Sequence, residues 1–246
     1  MAHFEQNNIL SDAQHGFRKR RSTESQLILT LQDIAKALYD GEQIDAILLD
    51  FSKAFDVVPH ERLAAKLHHY GVRGNTLSWI RSFLSHRSQQ GLVEGRMSES
   101  SPVTSGVPQG SVMGPLLFLA YINDLPEHVT STSRLFADDS LLYRKIRSPA
   151  DARALQDDLD KLQQWEKDWM MAYNASKCEV IRFTKKRKPT KSIYTIHNEE
   201  LNIVTNGKYL GAHLSNDLSW NTHVSATAKK ATNSLAFLRR NLTSCP

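Results

Sequence analysis

Cysteine is scarce: Cys178 and Cys245 are the only two among 246 residues. Two cysteines cannot build the disulfide framework of a small secreted domain or a structural zinc site. A reducing compartment is therefore the simpler expectation. Long hydrophobic runs are missing as well. No stretch approaches the ~18 apolar residues of a membrane-spanning helix, and the start lacks the apolar segment of a signal peptide. The sequence predicts a chain that is not secreted, has no membrane partner, and works in the cytoplasm or nucleus. No internal repeat or low-complexity linker interrupts it.

What is there suffices for a buried core, since hydrophobic residues make up 40% of the chain, in one large domain or two small ones. Lysine and arginine number 31 against 26 acids, a net charge of +5 that leans toward a polyanionic partner.

Helical periodicity is plain in STESQLILTLQDIAKALYDG (22–41), with Thr23 and Gln26 in a capping-box relation and Gly41 as the stop. IDAILLDF (44–51) is short, apolar and ends near an acid, as a buried strand reaching a site would be. HERLAAKLHHYG and NTLSWIRSFLSHR predict two helices, the second opened by Asn75 or Thr76; a hairpin over 89–103 follows. A loop rich in Gly, Pro and Ser then feeds an apolar helix from about Val112 to Leu125, with Pro115 in its first turns. SRLFADD and SLLYRK predict two strands joined at Asp138 and Asp139. Ser148 caps a helix whose inward stripe is Leu155, Leu159, Leu162 and Trp165. Strands near 178–183, 193–197 and 208–214 surround the basic turn KKRKPTK, and a helix over about 221–241 comes last. Strands and helices interleave without a regular strand-helix-strand rhythm, so the fold class is α+β.

The adjacent acids of RLFADDSLLYR pose a physical problem. Two carboxylates ~4 Å apart repel by about 4 kcal/mol at an effective dielectric near 20, and an unpaired buried one costs more. A lysine, a metal or solvent must offset them. If the strand ending at Asp50 neighbours this hairpin, three carboxylates meet. Such a set of hard oxygen donors favours Mg²⁺ and phosphoryl transfer; the bland alternative is a solvated acidic turn.

LLDFSKAFDVVPH (48–60), SGVPQGSVMGPLLF (105–118) and FADD (136–139), in this order and at this separation, resemble the palm motifs of reverse transcriptases. QHGFRKRRST (14–23) and YLG (209–211) resemble the class encoded by non-LTR (LINE-type) retrotransposons, and the likeness runs from about Phe4 to the end. It implies a right-hand polymerase palm with an antiparallel sheet packed on helices. Residues 1–43 would be a partial fingers segment, 44–215 the palm with fingers-side helices and hairpin at about 60–104, and 216–246 the start of a thumb.

The implied activity is RNA-directed DNA polymerisation within a retrotransposon polyprotein, with an RNA template, a DNA primer and deoxynucleoside triphosphates as partners. The implied cofactor is a pair of Mg²⁺ ions, with Mn²⁺ as a substitute. Asp50 and Asp138 would be metal ligands, Asp139 would complete the acidic cluster, and the Phe51 backbone carbonyl would be a further ligand. Phe55 matches the bulky position beneath the incoming sugar that leaves no room for a 2′-hydroxyl. Gln109 and Gly110 match the loop that contacts template-primer and nucleotide. Lys177 falls where a lysine protonates pyrophosphate, with a plain surface lysine as the alternative. Tyr209, Leu210 and Gly211 resemble the primer grip. Arg18, with Lys19, Arg20 and Arg21, would contact phosphates or form a solvated face. KKRK (185–188) is open between an import signal, a backbone contact and a basic turn. His60 is expected to tether a loop or cap a helix.

The pattern also departs from the family's. An upstream fingers arginine and a full thumb are expected to be missing, Val57 stands where polar residues are usual, and Gly91 interrupts a strand and is expected to leave a packing gap. The alternative function is a truncated, catalytically inactive nucleic-acid-binding remnant. RNA-copying RNA polymerases share the acidic palm, but Phe55 argues against them.

Overall fold

The computed structural model describes residues 1–242; Cys245 and the end of the expected thumb segment lie outside them. A short helix α1 (Ala2–Gln6) and an irregular segment precede α2 (Thr23–Tyr39). Its capping box is Ser22 with Ser25, not Thr23 with Gln26. Gln26 is instead buried and donates to the Tyr209 hydroxyl at 3.2 Å, so it cannot fold back onto the helix start. Strand β1 (Ile44–Leu49) follows, then α3 (Ala54–Val57), α4 (His60–His69) and α5 (Gly74–Leu84). α5 begins before Asn75 because extended Arg73 is its cap.

The expected hairpin over 89–103 is two small antiparallel pairs, β2 (Arg87–Gln89) with β5 (Ser101–Val103) and β3 (Leu92–Val93) with β4 (Arg96–Met97). Gly91 lies exposed at the step between them, and its N–H donates to Ser98 Oγ at 2.9 Å. No core gap arises there. α6 (Met113–Ile122) is shorter than expected, and a separate 3₁₀ turn over Leu125–His128 carries Pro126 at its start. A proline lacks the N–H and crowds the preceding turn, which ends the α-helix ahead of it.

β6 (Thr132–Phe136) and β7 (Asp139–Lys145) form the predicted hairpin. α7 (Pro149–Trp169) starts on a capping box between Ser148 and Asp151. The remaining strands are β8 (Glu179–Phe183), β9 (Thr195–Ile196), β10 (Glu199–Glu200), β11 (Asn202–Val204), β12 (Asn206–Tyr209) and β13 (Ala212–Ser215), before the last helix, α8 (Asn221–Asn241). The strand expected over 208–214 is the hairpin β12–β13. Leu210 and Gly211, at φ +47° and +84°, make its two-residue loop, and tight hairpins favour that pair of positive φ values.

The central sheet has the order β11-β8-β1-β7-β6, antiparallel except for the β11–β8 pair. β1 is therefore covered by a strand on each side, and both its faces are buried. Ile44 and Ala46 join Ile34 and Leu38 of α2, Leu141, Tyr143, Ile181 and Tyr209 on one face. Ile47 and Leu49 join Phe118 of α6, Leu155, Leu159 and Trp165 of α7 and Leu63 of α4 on the other. Alternation along a strand thus sends successive side chains into two helix-covered layers.

Candidate active site

β1 and β7 run antiparallel with Leu49 opposite Ser140, so the next residues along the two strands are Asp50 and Asp139. Asp138 precedes Asp139 in the β6–β7 loop. The acids expected to meet are therefore at the same end of adjacent strands. Protein around the Asp139 carboxyl raises its pKa; the like charges of Asp138 and Asp50 raise it further, and the Lys208 ammonium opposes them. Asp50 Oδ2 is paired with Lys177 Nζ at 3.1 Å. A cleft of about 420 Å³ opens here, lined by Asp50, Asp139, Ser176, Lys177, Lys208 and Tyr209 among others.

The backbone around Asp50 is held from the other side. Asn174 N–H donates to Asp50 O at 2.7 Å and Ser52 N–H to Ala172 O at 2.8 Å, around an antiparallel bridge between Phe51 and Tyr173. A residue in such a non-hydrogen-bonded pair turns its own N–H and C=O away from the partner strand. The Phe51 carbonyl is thereby directed to the β7 side, while its ring is buried and stacked on Tyr173 at 4.3 Å.

The β6–β7 loop is built unusually. Ala137 has φ +53°, a left-handed conformation that costs a non-glycine residue about 1–2 kcal/mol. Its N–H donates to Gln14 Oε1 at 3.0 Å, and His15 N–H donates to Leu135 O at 2.8 Å. The QHG stretch is thus an extra edge against β6, and Gly16 lies so close that a Cβ there would stand 2.3 Å from Ala137 N.

The other motifs also interlock. Val107 N–H donates to Phe55 O at 2.7 Å, Gly106 N–H to Val58 O at 2.8 Å and Ser105 Oγ to Asp56 O at 2.9 Å. His60 Nε2 is 2.8 Å from Gly106 O; a carbonyl only accepts, so Nε2 carries the proton. His60 is the tether expected of it. Phe55 is half-buried and stacked on Phe118 at 4.4 Å. Gln109 and Gly110 are exposed, and Gln109 Nε2 donates to Asp56 Oδ1 at 3.2 Å. This loop borders a second cleft of about 670 Å³ lined by Lys53, Arg87, Gln89, Ser105 and Gln109 among others.

Two expected residues stand differently from their anticipated roles. Arg18 turns inward: its Nη1 donates to Ser11 O at 2.8 Å and Leu10 O at 3.3 Å and its Nη2 pairs with Glu5 at 3.5 Å, while Nε is buried with no partner among the described residues. Lys19 and Arg20 are the exposed cations of that run. Tyr209 is buried at 2% exposure, which leaves Lys208 and the Leu210–Gly211 loop as the outward parts of its hairpin. Sequence reasoning did not single out Gln14, Lys208 or Gly207. Gly207 lets the hairpin lie on the sheet, since a Cβ there would stand 2.6 Å from Ile181 Cδ1 and 2.7 Å from Leu48 Cδ1. The alternation of β12 then brings Lys208 to the cleft. Only its place beside YLG hinted at this.

Among the described residues, no three His, Cys, Asp or Glu side chains stand close enough to enclose a metal ion. The donor chemistry still fits a hard divalent cation: carboxylate oxygens repelling one another in one cleft, one of them already drawing an ammonium.

A mostly antiparallel sheet with helices on both faces and acids at the end of its central strands defines the α+β palm type of template-copying polymerases. The same fold occurs in telomerase from Candida tropicalis, at TM-score 0.59 and 10% identity over 89% of this chain and 36% of that one. The family model for reverse transcriptase (RNA-dependent DNA polymerase) matches residues 1–214, and the chain belongs to that family. The relatives the chain matches are polymerases of non-LTR retrotransposons.

It is similar to the probable RNA-directed DNA polymerase from transposon BS of Drosophila melanogaster, 32% identical over 94% of this chain and 26% of the relative. It is also similar to the RNA-directed DNA polymerase from mobile element jockey of the same species, 30% identical over 86% of this chain and 24% of the relative. The chain spans about a quarter of the length of these curated relatives. Reverse transcriptases as a family use divalent metal ions. Among the described residues, no helix is long and apolar enough to cross a membrane.

Proposed function

We propose that the chain carries the polymerising centre of an RNA-directed DNA polymerase, which joins a primer 3′-hydroxyl to the α-phosphate of a deoxynucleotide and releases pyrophosphate. Its main support is the register that sets Asp50 beside the Asp138–Asp139 loop in a chain of the reverse transcriptase family. Asp50 and Asp138 would hold Mg²⁺, or Mn²⁺ in its place, with Asp139 and the Phe51 carbonyl completing the donor set. When bound, a pair of such ions lowers the charge on the attacking and leaving oxygens together.

The chain's own groups do the rest. Lys177, which pairs with Asp50 at the cleft, would be placed to meet the triphosphate and hand a proton to pyrophosphate. Lys208 supplies a second ammonium for phosphate. The Phe55 ring, fixed by its stack on Phe118, closes the space that a 2′-hydroxyl needs. Gln109 and Gly110 border the polar cleft with Lys53 and Arg87, which suits an RNA template strand. The Tyr209–Leu210–Gly211 hairpin, anchored through buried Tyr209, offers its loop to the DNA primer end. Arg18 serves by bracing its segment, and Lys19 and Arg20 take the phosphate contacts. In this assignment residues 1–43 belong to the fingers, 44–215 to the palm and 216–246 to the thumb.

Primer extension on an RNA template, with Mg²⁺ and deoxynucleotides, tests the proposal. Asp138→Asn should abolish the extension seen with the wild-type protein; retained extension in the variant removes Asp138 from the chemistry. Hybrid binding by the wild type with no incorporation would point to a binding remnant instead.

A further inference from the structure

The loop that presents Asp138 and Asp139 is supported from outside the hairpin. Ala137, its first residue, sits at positive φ without being glycine, so the loop has no intrinsic preference for this shape. Gln14 contacts it across 123 residues of sequence. The side chain of Gln14 is 1% exposed, and its Oε1 accepts from Ala137 N–H at 3.0 Å and Gly16 N–H at 2.7 Å. Both partners are donors, which fixes the amide orientation: oxygen toward the loop. Nε2 is then buried with no hydrogen-bond partner among the described residues. The fold keeps a buried donor unsatisfied in order to hold an acceptor in this place.

Gln14 is itself rigidly seated. Ala13 O accepts from Leu135 N–H at 2.9 Å, His15 N–H donates to Leu135 O at 2.8 Å, and Arg21 Nη1 donates to Gln14 O at 3.3 Å. The missing side chain of Gly16 lets this segment press on the loop; a Cβ would lie 3.0 Å from Phe136 C. An asparagine would be one methylene short of Ala137, and a leucine would fill the space without accepting.

On the reading that these acids take divalent cations, we propose that Gln14 is the positioning residue that fixes the Asp138–Asp139 loop for metal binding. It touches neither metal nor substrate and acts through the Ala137 N–H. Residues that orient metal ligands from outside the coordination sphere typically change affinity by 10–100-fold when replaced.

The test compares wild type, Gln14→Leu, Gln14→Glu and Asp138→Asn by titration with Mn²⁺, followed by electron paramagnetic resonance, and by amide exchange at Ala137. Gln14→Leu should weaken Mn²⁺ binding about tenfold and speed Ala137 exchange about fivefold, the equivalent of one lost hydrogen bond. Gln14→Glu keeps an acceptor toward Ala137 at the cost of burying a carboxyl group, so it should protect the Ala137 amide better than Gln14→Leu does. A leucine variant matching wild type at Ala137, or a glutamate variant as impaired as leucine, overturns the proposal. Asp138→Asn separates the two levels. If it binds Mn²⁺ as tightly as wild type, the metal reading fails, and Ala137 exchange in Gln14→Leu alone decides whether Gln14 holds the loop.

Discussion

His15 is buried next to Gln14 in the chain, with Nδ1 3.1 Å from Ser25 Oγ. Burial, and then the charges of Arg21, Arg134 and Arg18, lower its pKa to about 4 from an ordinary 6.5, with Asp12 opposing. A histidine held neutral in the fold takes its proton first in the unfolded chain. Its contribution to stability is complete above pH 6.5 and is lost progressively as pH falls to about 4. The segment that braces the acidic loop should loosen across that window. His15→Gln, which cannot titrate, should flatten the pH dependence of amide protection over residues 13–16; an unchanged profile would exclude His15 as its source. Phe55 gives a second prediction at this scale. With one ring face on Phe118 and the residue half exposed, Phe55→Val should raise ribonucleotide incorporation relative to deoxynucleotide by at least about tenfold, roughly 1.4 kcal/mol, in single-nucleotide extension. Equal discrimination in the variant would show that the ring is only packing.

Among the elements, the joint between the FDVVPH and SGVPQG segments is where one residue bears most. Gly106 sits at φ +88°, and a Cβ would stand 2.6 Å from Asp56 O and 2.8 Å from Asp56 C. Gly106→Ala meets both a forbidden conformation and backbone atoms that cannot swing aside. It should cost about 3 kcal/mol from the positive φ and the overpacking together, read as a lower denaturation midpoint. Gly110→Ala, at φ +79° with open space around it, should cost about 1–2 kcal/mol. The same contrast explains what was legible in the sequence. β1 and the β6–β7 hairpin were readable because a short apolar run closed by an acid has few other uses, and α7 because Ser148, Pro149 and Asp151 spell out a helix start. The capping of α2 was misread because Gln26 is drawn away by Tyr209, a contact across 183 residues. Gln14, Gly207 and Lys208 act through contacts between segments far apart in the chain. Gly207 and Lys208 could emerge only once the YLG region was seen to be a hairpin lying on the sheet.

For the molecule as a whole, α8 stands apart energetically. None of its residues is buried, and Val224, Leu235, Phe237 and Leu238 remain exposed. Its polar links to the sheet region are Thr222 Oγ1 donating to Asn206 Oδ1 at 3.1 Å and His223 Nδ1 accepting from His213 N–H at 3.3 Å. Stability comes chiefly from apolar area removed from water, so the palm should not need this helix. Ending the chain after Ser219 should shift the melting midpoint by less than about 8 °C, as two exposed hydrogen bonds of about 1 kcal/mol each would allow. Nucleic-acid binding should respond differently. The same truncation removes Lys229, Lys230, Arg239 and Arg240 and no acid, taking the net charge from +5 to +1. If these cations touch the phosphate backbone of an RNA-DNA hybrid, the slope of log K against log salt should become shallower by about 3. A fall in melting midpoint beyond about 10 °C would instead make α8 part of the core. An unchanged slope with unchanged stability would leave the binding charge to Lys19, Arg20 and the exposed cations of the 185–191 turn.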